Sequence, residues 1–90
     1  MFSKDSAQKI SHSDGHTVQV ADRTTVEYLE NGRRASVEVD FGVSVGVFVQ
    51  TLRGWDRDGS SEAMSVAERN LTLERIGAGL RAMGCKVELC

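Results

Sequence analysis

Four side chains in this sequence have the softness and number to hold a zinc ion: His12, His16, Cys85 and Cys90. Structural zinc sites take their thiolates from short C-x-x-C-type knuckles and their imidazoles from a helical pair. Here the cysteines stand five apart, and the histidines lie in a polar stretch without period. If the KVEL between the cysteines is a strand, their side chains face opposite sides, so neither a shared metal nor a mutual disulfide is expected. A thiol–imidazole pair of Cys85 and His16 would need a third, orienting group and an oxyanion site, and no residue pattern supplies them. The sequence therefore predicts no enzyme, no cofactor and no metal. The glycines at 42, 46, 54 and 59 lack the spacing of a phosphate-binding loop.

Carboxylates are more plentiful. Glu38 and Asp40 alternate with apolar residues, which places both on one face of a strand, about 7 Å apart at the usual rise per residue. The ordinary meaning of such a pair is a solvated sheet face. The functional meaning is an acidic patch that meets a basic partner, because complementary charge raises association rate and specificity. A second acidic set, Asp56, Asp58 and Glu62, surrounds Trp55 in the stretch from Arg53 to Met64, which reads as a long polar loop. Trp55 either folds back over the end of the sheet or stands exposed, and Trp and Arg are enriched in binding hot spots.

These residues must be carried by a small framework. Ninety residues with 40% hydrophobic and 27% charged side chains make one globular domain. A net charge of −2 argues against a direct nucleic-acid binder. No apolar run reaches the length of a membrane span, and the N-terminal stretch lacks the apolar core of a signal peptide, so the expected compartment is the cytoplasm.

Residues 1–15 are polar and read as a flexible N-terminal arm, with the α+β domain at 16–90. From Thr17 the pattern alternates with period two. Asn31-Gly32 between two alternating runs signals a type I′ hairpin. Ser36 to Phe41 places Val37, Val39 and Phe41 on one face, and Val43, Val45, Val47 and Val49 form a further stripe. Ser65 to Gly84 is the one sustained helical pattern, with Val66, Asn70, Leu73, Ile76, Leu80 and Met83 at steps of three or four. Ser65 and Glu68 form a capping box and Gly84 a C-terminal stop. Gly77, on the apolar face, is the expected point of closest approach to the sheet. Cys85 to Leu89 alternates again and should rejoin the sheet. The predicted fold is α+β: a mostly antiparallel sheet of about five strands, in the order β-β-β-β-α-β, covered on one face by a single C-terminal helix.

Across residues 47–89 this layout resembles a family of small bacterial immunity proteins from polymorphic-toxin and contact-dependent growth-inhibition systems. The features that carry the resemblance are a strand ending near Trp55, a polar loop, Ser65-Val66-Ala67-Glu68-Arg69, Ile76, Leu80 and Gly84-Cys85-Lys86-Val87-Glu88-Leu89. The resemblance implies a protein without catalytic activity that binds a cognate toxin C-terminal domain, often a nuclease. It would block the toxin's active site or substrate surface, with Trp55, Asp56, Asp58, Glu62, Glu38 and Asp40 as the expected contact residues. The alternative is a small accessory or regulatory domain that acts by homodimerisation or edge-strand pairing, without a toxin partner.

Overall fold

The computed structural model describes residues 2–6, 9–12, 15–57 and 60–89. Among these, nine strands and one α-helix form a curled, mixed sheet with a helix packed on its inner face. The strands are β1 (Phe2–Ser6), β2 (Lys9–His12), β3 (His16–Asp22), β4 (Thr25–Glu30), β5 (Arg33–Phe41), β6 (Val45–Phe48), β7 (Gly54–Arg57), β8 (Ser60–Ala63) and β9 (Val87–Leu89). Helix α1 spans Val66–Ala82. The sheet runs β1-β2-β3-β4-β5-β6-β9, and β7 and β8 join it through β5. Every pair is antiparallel except β6 with β9. The α+β class, the mostly antiparallel sheet and the single covering helix are those expected; the strands are more numerous than about five.

The additional strands arise where the sequence lacks a long alternating run. Residues 1–15, read as an arm, contain β1 and β2, which form a hairpin against β3. One apolar residue anchors β2: Ile10 lies opposite Val18 and is 2% exposed. The stretch read as a polar loop contains the β7–β8 hairpin. Gly54 is required there, because a Cβ at this position would collide with the Glu62 carbonyl oxygen on the neighbouring strand.

Alternation builds the core as expected. Ile10, Val18, Tyr28 and Ala35 form one cross-strand row, since each is the register partner of the next. Val26 with Val37, and Val39 with Val47, continue the inner face, and all of these side chains are buried. Each buried valine contributes roughly 1.5–3 kcal/mol before chain entropy is subtracted. Asn31 and Gly32 have φ of 52° and 74°, the left-handed pair that a two-residue type I′ turn demands. The valine stripe is shorter than predicted. Phe41 pairs with Val45, so Gly42, Val43 and Ser44 form the hairpin loop, with Val43 98% exposed at its apex and Phe41 itself 39% exposed. Val49 leaves the strand for a 3-10 turn, Val49–Thr51. The Thr51 hydroxyl donates to the Phe48 carbonyl and accepts from the Glu38 N–H, each at 2.7 Å. That hydroxyl bridges the gap where β5 exchanges β6 for β7 as its neighbour.

The helix begins at the predicted cap. Ser65 Oγ accepts from the Glu68 N–H, and Glu68 Oε1 accepts from the Ser65 N–H, both at 3.1 Å. Gly84 has φ of 94° just beyond the last turn. The buried face is rotated relative to the predicted one. Thr72, Leu73, Ile76, Gly77, Gly79 and Leu80 are buried, whereas Val66 is 77% exposed and Asn70 faces solvent. The point of closest approach is Gly79, not Gly77. A Cβ on Gly79 would sit 2.8 Å from Val18 Cγ2, while one on Gly77 would find only ordinary contacts. The chain then enters β9 beside β6, with the Val45 N–H donating to the Lys86 carbonyl at 2.6 Å.

Candidate functional site

Two places concentrate polar chemistry. The first is an aromatic and ionic column at the end of the sheet where the β4–β5 turn meets the start of α1. Trp55 is 2% exposed, its ring centroid 5.9 Å from that of Tyr28. The Arg33 guanidinium lies over the indole at 4.2 Å, within the range of a cation–π contact. Arg33 also reaches Glu68 at 3.4 Å and Glu30 at 3.8 Å, tying the hairpin tip to the first turn of the helix. Arg75, about two turns further along the helix, donates through one nitrogen to the Tyr28 hydroxyl at 3.0 Å and to Glu30 Oε2 at 2.6 Å. Arg69 donates to the Leu52 and Val49 carbonyls, satisfying backbone groups of the 3-10 turn and its exit. The Ser65 N–H bond is the largest influence holding the Glu68 carboxyl below its ordinary value. The nearby indole N–H of Trp55 and the Arg33 guanidinium lower it further, although the indole N–H makes no hydrogen bond within normal geometric limits.

This column is a structural clamp. Burial raises the Tyr28 pKa above 10.0, the Glu30 charge adds to the rise, and the Arg75 bond opposes it. Below pH 10 both folded and unfolded chains keep the phenol proton, so the contribution of Tyr28 to stability is whole there. It is lost as pH climbs through the raised folded value. Because the chain has one tyrosine, its ultraviolet tyrosinate band reports Tyr28 alone. The native midpoint should lie above 10.0 and fall to about 10 in denaturant; equal midpoints would mean a solvated hydroxyl.

Among the described residues no three His, Cys, Asp or Glu side chains converge as a metal site. The rings of His12 and His16 stack with centroids 4.7 Å apart and planes 8° from parallel, a geometry that does not aim two nitrogens at one ion. Cys85 is half-buried against the core as a free thiol, and Cys90 lies outside the described residues. A shallow cleft of about 360 Å³, lined by Ser36, Thr51, Arg53, Trp55, Asp56 and Ser61 among others, lies where β5 meets β7. Within it the Ser61 hydroxyl donates to Asp56 Oδ1 at 3.5 Å, and both residues are exposed.

The second place is the outer face of the sheet, opposite the helix. Of the expected contact residues, Glu38 and Asp40 are exposed there on β5. Asp56 is exposed as well and pairs in register with Arg34, whose side of β5 is also the outer one. Glu62 is exposed but is the register partner of Trp55, on the other face of the β7–β8 hairpin. Asp58 lies outside the described residues. Trp55 is not an exposed aromatic: its ring belongs to the core. The five described residues of this set therefore do not share one face. No family model, curated protein or solved structure matches the chain.

The outer face also carries an aromatic that sequence reasoning did not single out for binding. Phe48 is 41% exposed and lies directly opposite Glu38; Asp40 lies opposite Gly46, which neighbours Glu88 of β9. An apolar ring thus shares this face with three carboxylate side chains at neighbouring register positions of β5 and β9. The signal was available. Phe48 alternates with Val47 and Val45, so once those two face the helix, Phe48 must face away from it. Further along the same face Glu27 is engaged by Arg34 at 3.3 Å and Gln19 at 3.0 Å.

Proposed function

We propose that this chain acts by binding rather than by turnover, as a cytoplasmic immunity protein that occludes a basic toxin domain, a nuclease in the simplest case. One observation carries the reading: a half-exposed phenylalanine set among Glu38, Asp40 and Glu88 on a sheet face that, among the described residues, no other element covers. Interfaces place an aromatic anchor at the centre and polar groups at the rim. An acidic rim suits a surface built to hold a polyanion. The contact set is then Phe48, Glu38, Asp40 and Glu88, with Asp56 at its margin. Trp55 serves the framework, and among the described residues no helix is long and apolar enough to cross a membrane.

The test takes the C-terminal domain of any toxin found encoded next to this chain, measuring association over a range of salt. The double reversal Glu38→Lys with Asp40→Lys should slow association about tenfold or more at low ionic strength and flatten its salt dependence. Phe48→Ser should act mainly on dissociation. Kinetics unchanged in both variants would remove this face from the interface, and absence of any complex would remove the function. A second reading, homodimerisation by edge pairing, is favoured by β9, a three-residue edge strand whose Leu89 is 56% exposed. Sedimentation of the isolated chain distinguishes the two: a tight dimer supports edge pairing and a monomer supports the toxin-binding reading.

A further inference from the structure

Among the described residues β9 pairs only with β6, in parallel, so its other side is an open sheet edge. The Val45 N–H donates to the Lys86 carbonyl, which turns the backbone of Lys86 toward β6. Backbone groups alternate sides along a strand, so the N–H and carbonyl of Val87 point outward from the sheet edge. We propose that this edge accepts β9 of a second copy of the chain, antiparallel, in the register that sets Val87 opposite Val87.

Charge and hydrogen bonding select that register. Lys86 and Glu88 are both exposed, and their spacing of two puts them on the same, outer face. With the valines opposite each other, each Lys86 faces Glu88 of the second copy and each Cys85 faces Leu89. The two valines then form a hydrogen-bonded pair, exchanging two N–H···O bonds. Centring the seam on Glu88 would set carboxylate against carboxylate, and centring it on Lys86 would set ammonium against ammonium. Like charges directly opposite are destabilising. A lysine on an edge strand ordinarily discourages pairing; here Glu88 of the second copy offsets it. Glu88 also interacts within its own chain, but an exposed carboxylate accepts from more than one donor, so the seam does not need it free. On the helix side Leu89 is 56% exposed, beside a cleft of about 280 Å³ that Leu73, Gly77 and Arg81 also line. Pairing would cover part of that leucine.

This seam rests on the edge-pairing reading for its location, but it makes a weak pair rather than a tight one. A contact running from Cys85 to Leu89 is far smaller than the roughly 1,200–2,000 Å² interfaces of stable complexes. The pair therefore forms at high concentration and comes apart on dilution. A strand added at an edge lies in the plane of the sheet, so the outer face with Phe48 stays open in both forms. A toxin partner on that face is neither required nor blocked.

Sedimentation equilibrium under reducing conditions, at concentrations rising into the millimolar range, tests this. The wild-type protein should self-associate at the upper end. Lys86→Glu alone and Glu88→Lys alone should each weaken association about tenfold or more, since each sets like charges opposite one another twice. An equimolar mixture of the two variants should recover wild-type association, because the mixed pair restores both opposite-charge contacts. The double variant Lys86→Glu with Glu88→Lys, whose net charge equals that of the wild type, should recover it as well. A wild-type chain that stays monomeric throughout would overturn edge pairing and the register together. Association indifferent to the single variants would overturn the register and leave edge pairing standing. Recovery in the mixture without recovery in the double variant would also overturn it, since net charge alone would then explain the attraction.

Discussion

Trp55→Ala should lower the stability of the domain by about 3–5 kcal/mol, a large part of the roughly 5–15 kcal/mol that a domain of this kind has. The ring is 2% exposed, packs on Tyr28, and carries the Arg33 guanidinium above it. Its removal leaves a cavity and also frees Arg33, which connects Glu30 with Glu68. Among the described residues the β7–β8 hairpin pairs in register with the main sheet at one position, Arg34 with Asp56, so the indole is a substantial part of what fixes it there. Urea unfolding followed by far-ultraviolet circular dichroism measures the loss, and Trp55→Phe should recover more than half of it. A loss below about 1 kcal/mol would place the ring outside the core.

The second large effect separates two glycines two residues apart. Gly79→Ala should destabilise by about 1–3 kcal/mol in spite of alanine's better helix propensity. Its Cβ would stand 2.8 Å from Cγ2 and 2.9 Å from Cβ of Val18, and Val18 is fully buried in the middle of β3. Neither the strand nor the helix can move aside without disturbing the row of Ile10, Val18, Tyr28 and Ala35. Gly77→Ala should do the opposite. Its Cβ meets Arg81 Nη1 at 3.6 Å and Val87 Cγ1 at 3.9 Å, ordinary contact distances. The gain in helix propensity, up to about 1 kcal/mol, should then appear as a higher melting temperature. Equal effects at the two positions would refute the close approach at Gly79.

The contrast between those glycines shows what the residues could and could not announce. Sequence periodicity identifies the helix, its cap and its end, since Ser65, Glu68 and Gly84 act through groups within one turn of themselves. It cannot fix the rotation of the helix about its axis to within one residue, because that depends on where Val18 stands in a strand about sixty positions before Gly79. Likewise β5 is legible from clean alternation, while β2 is not. Ile10 is one apolar residue in four, and only its pairing with Val18 makes a strand of it. The site divides in the same way. Glu38 and Asp40 are placed on the open face by alternation alone. Trp55 needed the distant Tyr28, Arg33 and Glu68 to become a core residue, and no local pattern carries that information. Phe48 is placed on the same open face by its alternation with Val45 and Val47.

The arrangement of the sheet has a consequence for how the chain reaches it. β3, β4 and β5 are successive neighbours, so they can assemble by short hairpin closures soon after synthesis. The helix joins them only by contacts such as Arg75 to Tyr28, 47 positions apart. The parallel seam of β9 on β6 closes from beyond the helix. Until that late docking the valine-lined face lies open to water. A nascent or half-folded chain therefore exposes a sticky surface, on which self-association competes with completion of the fold.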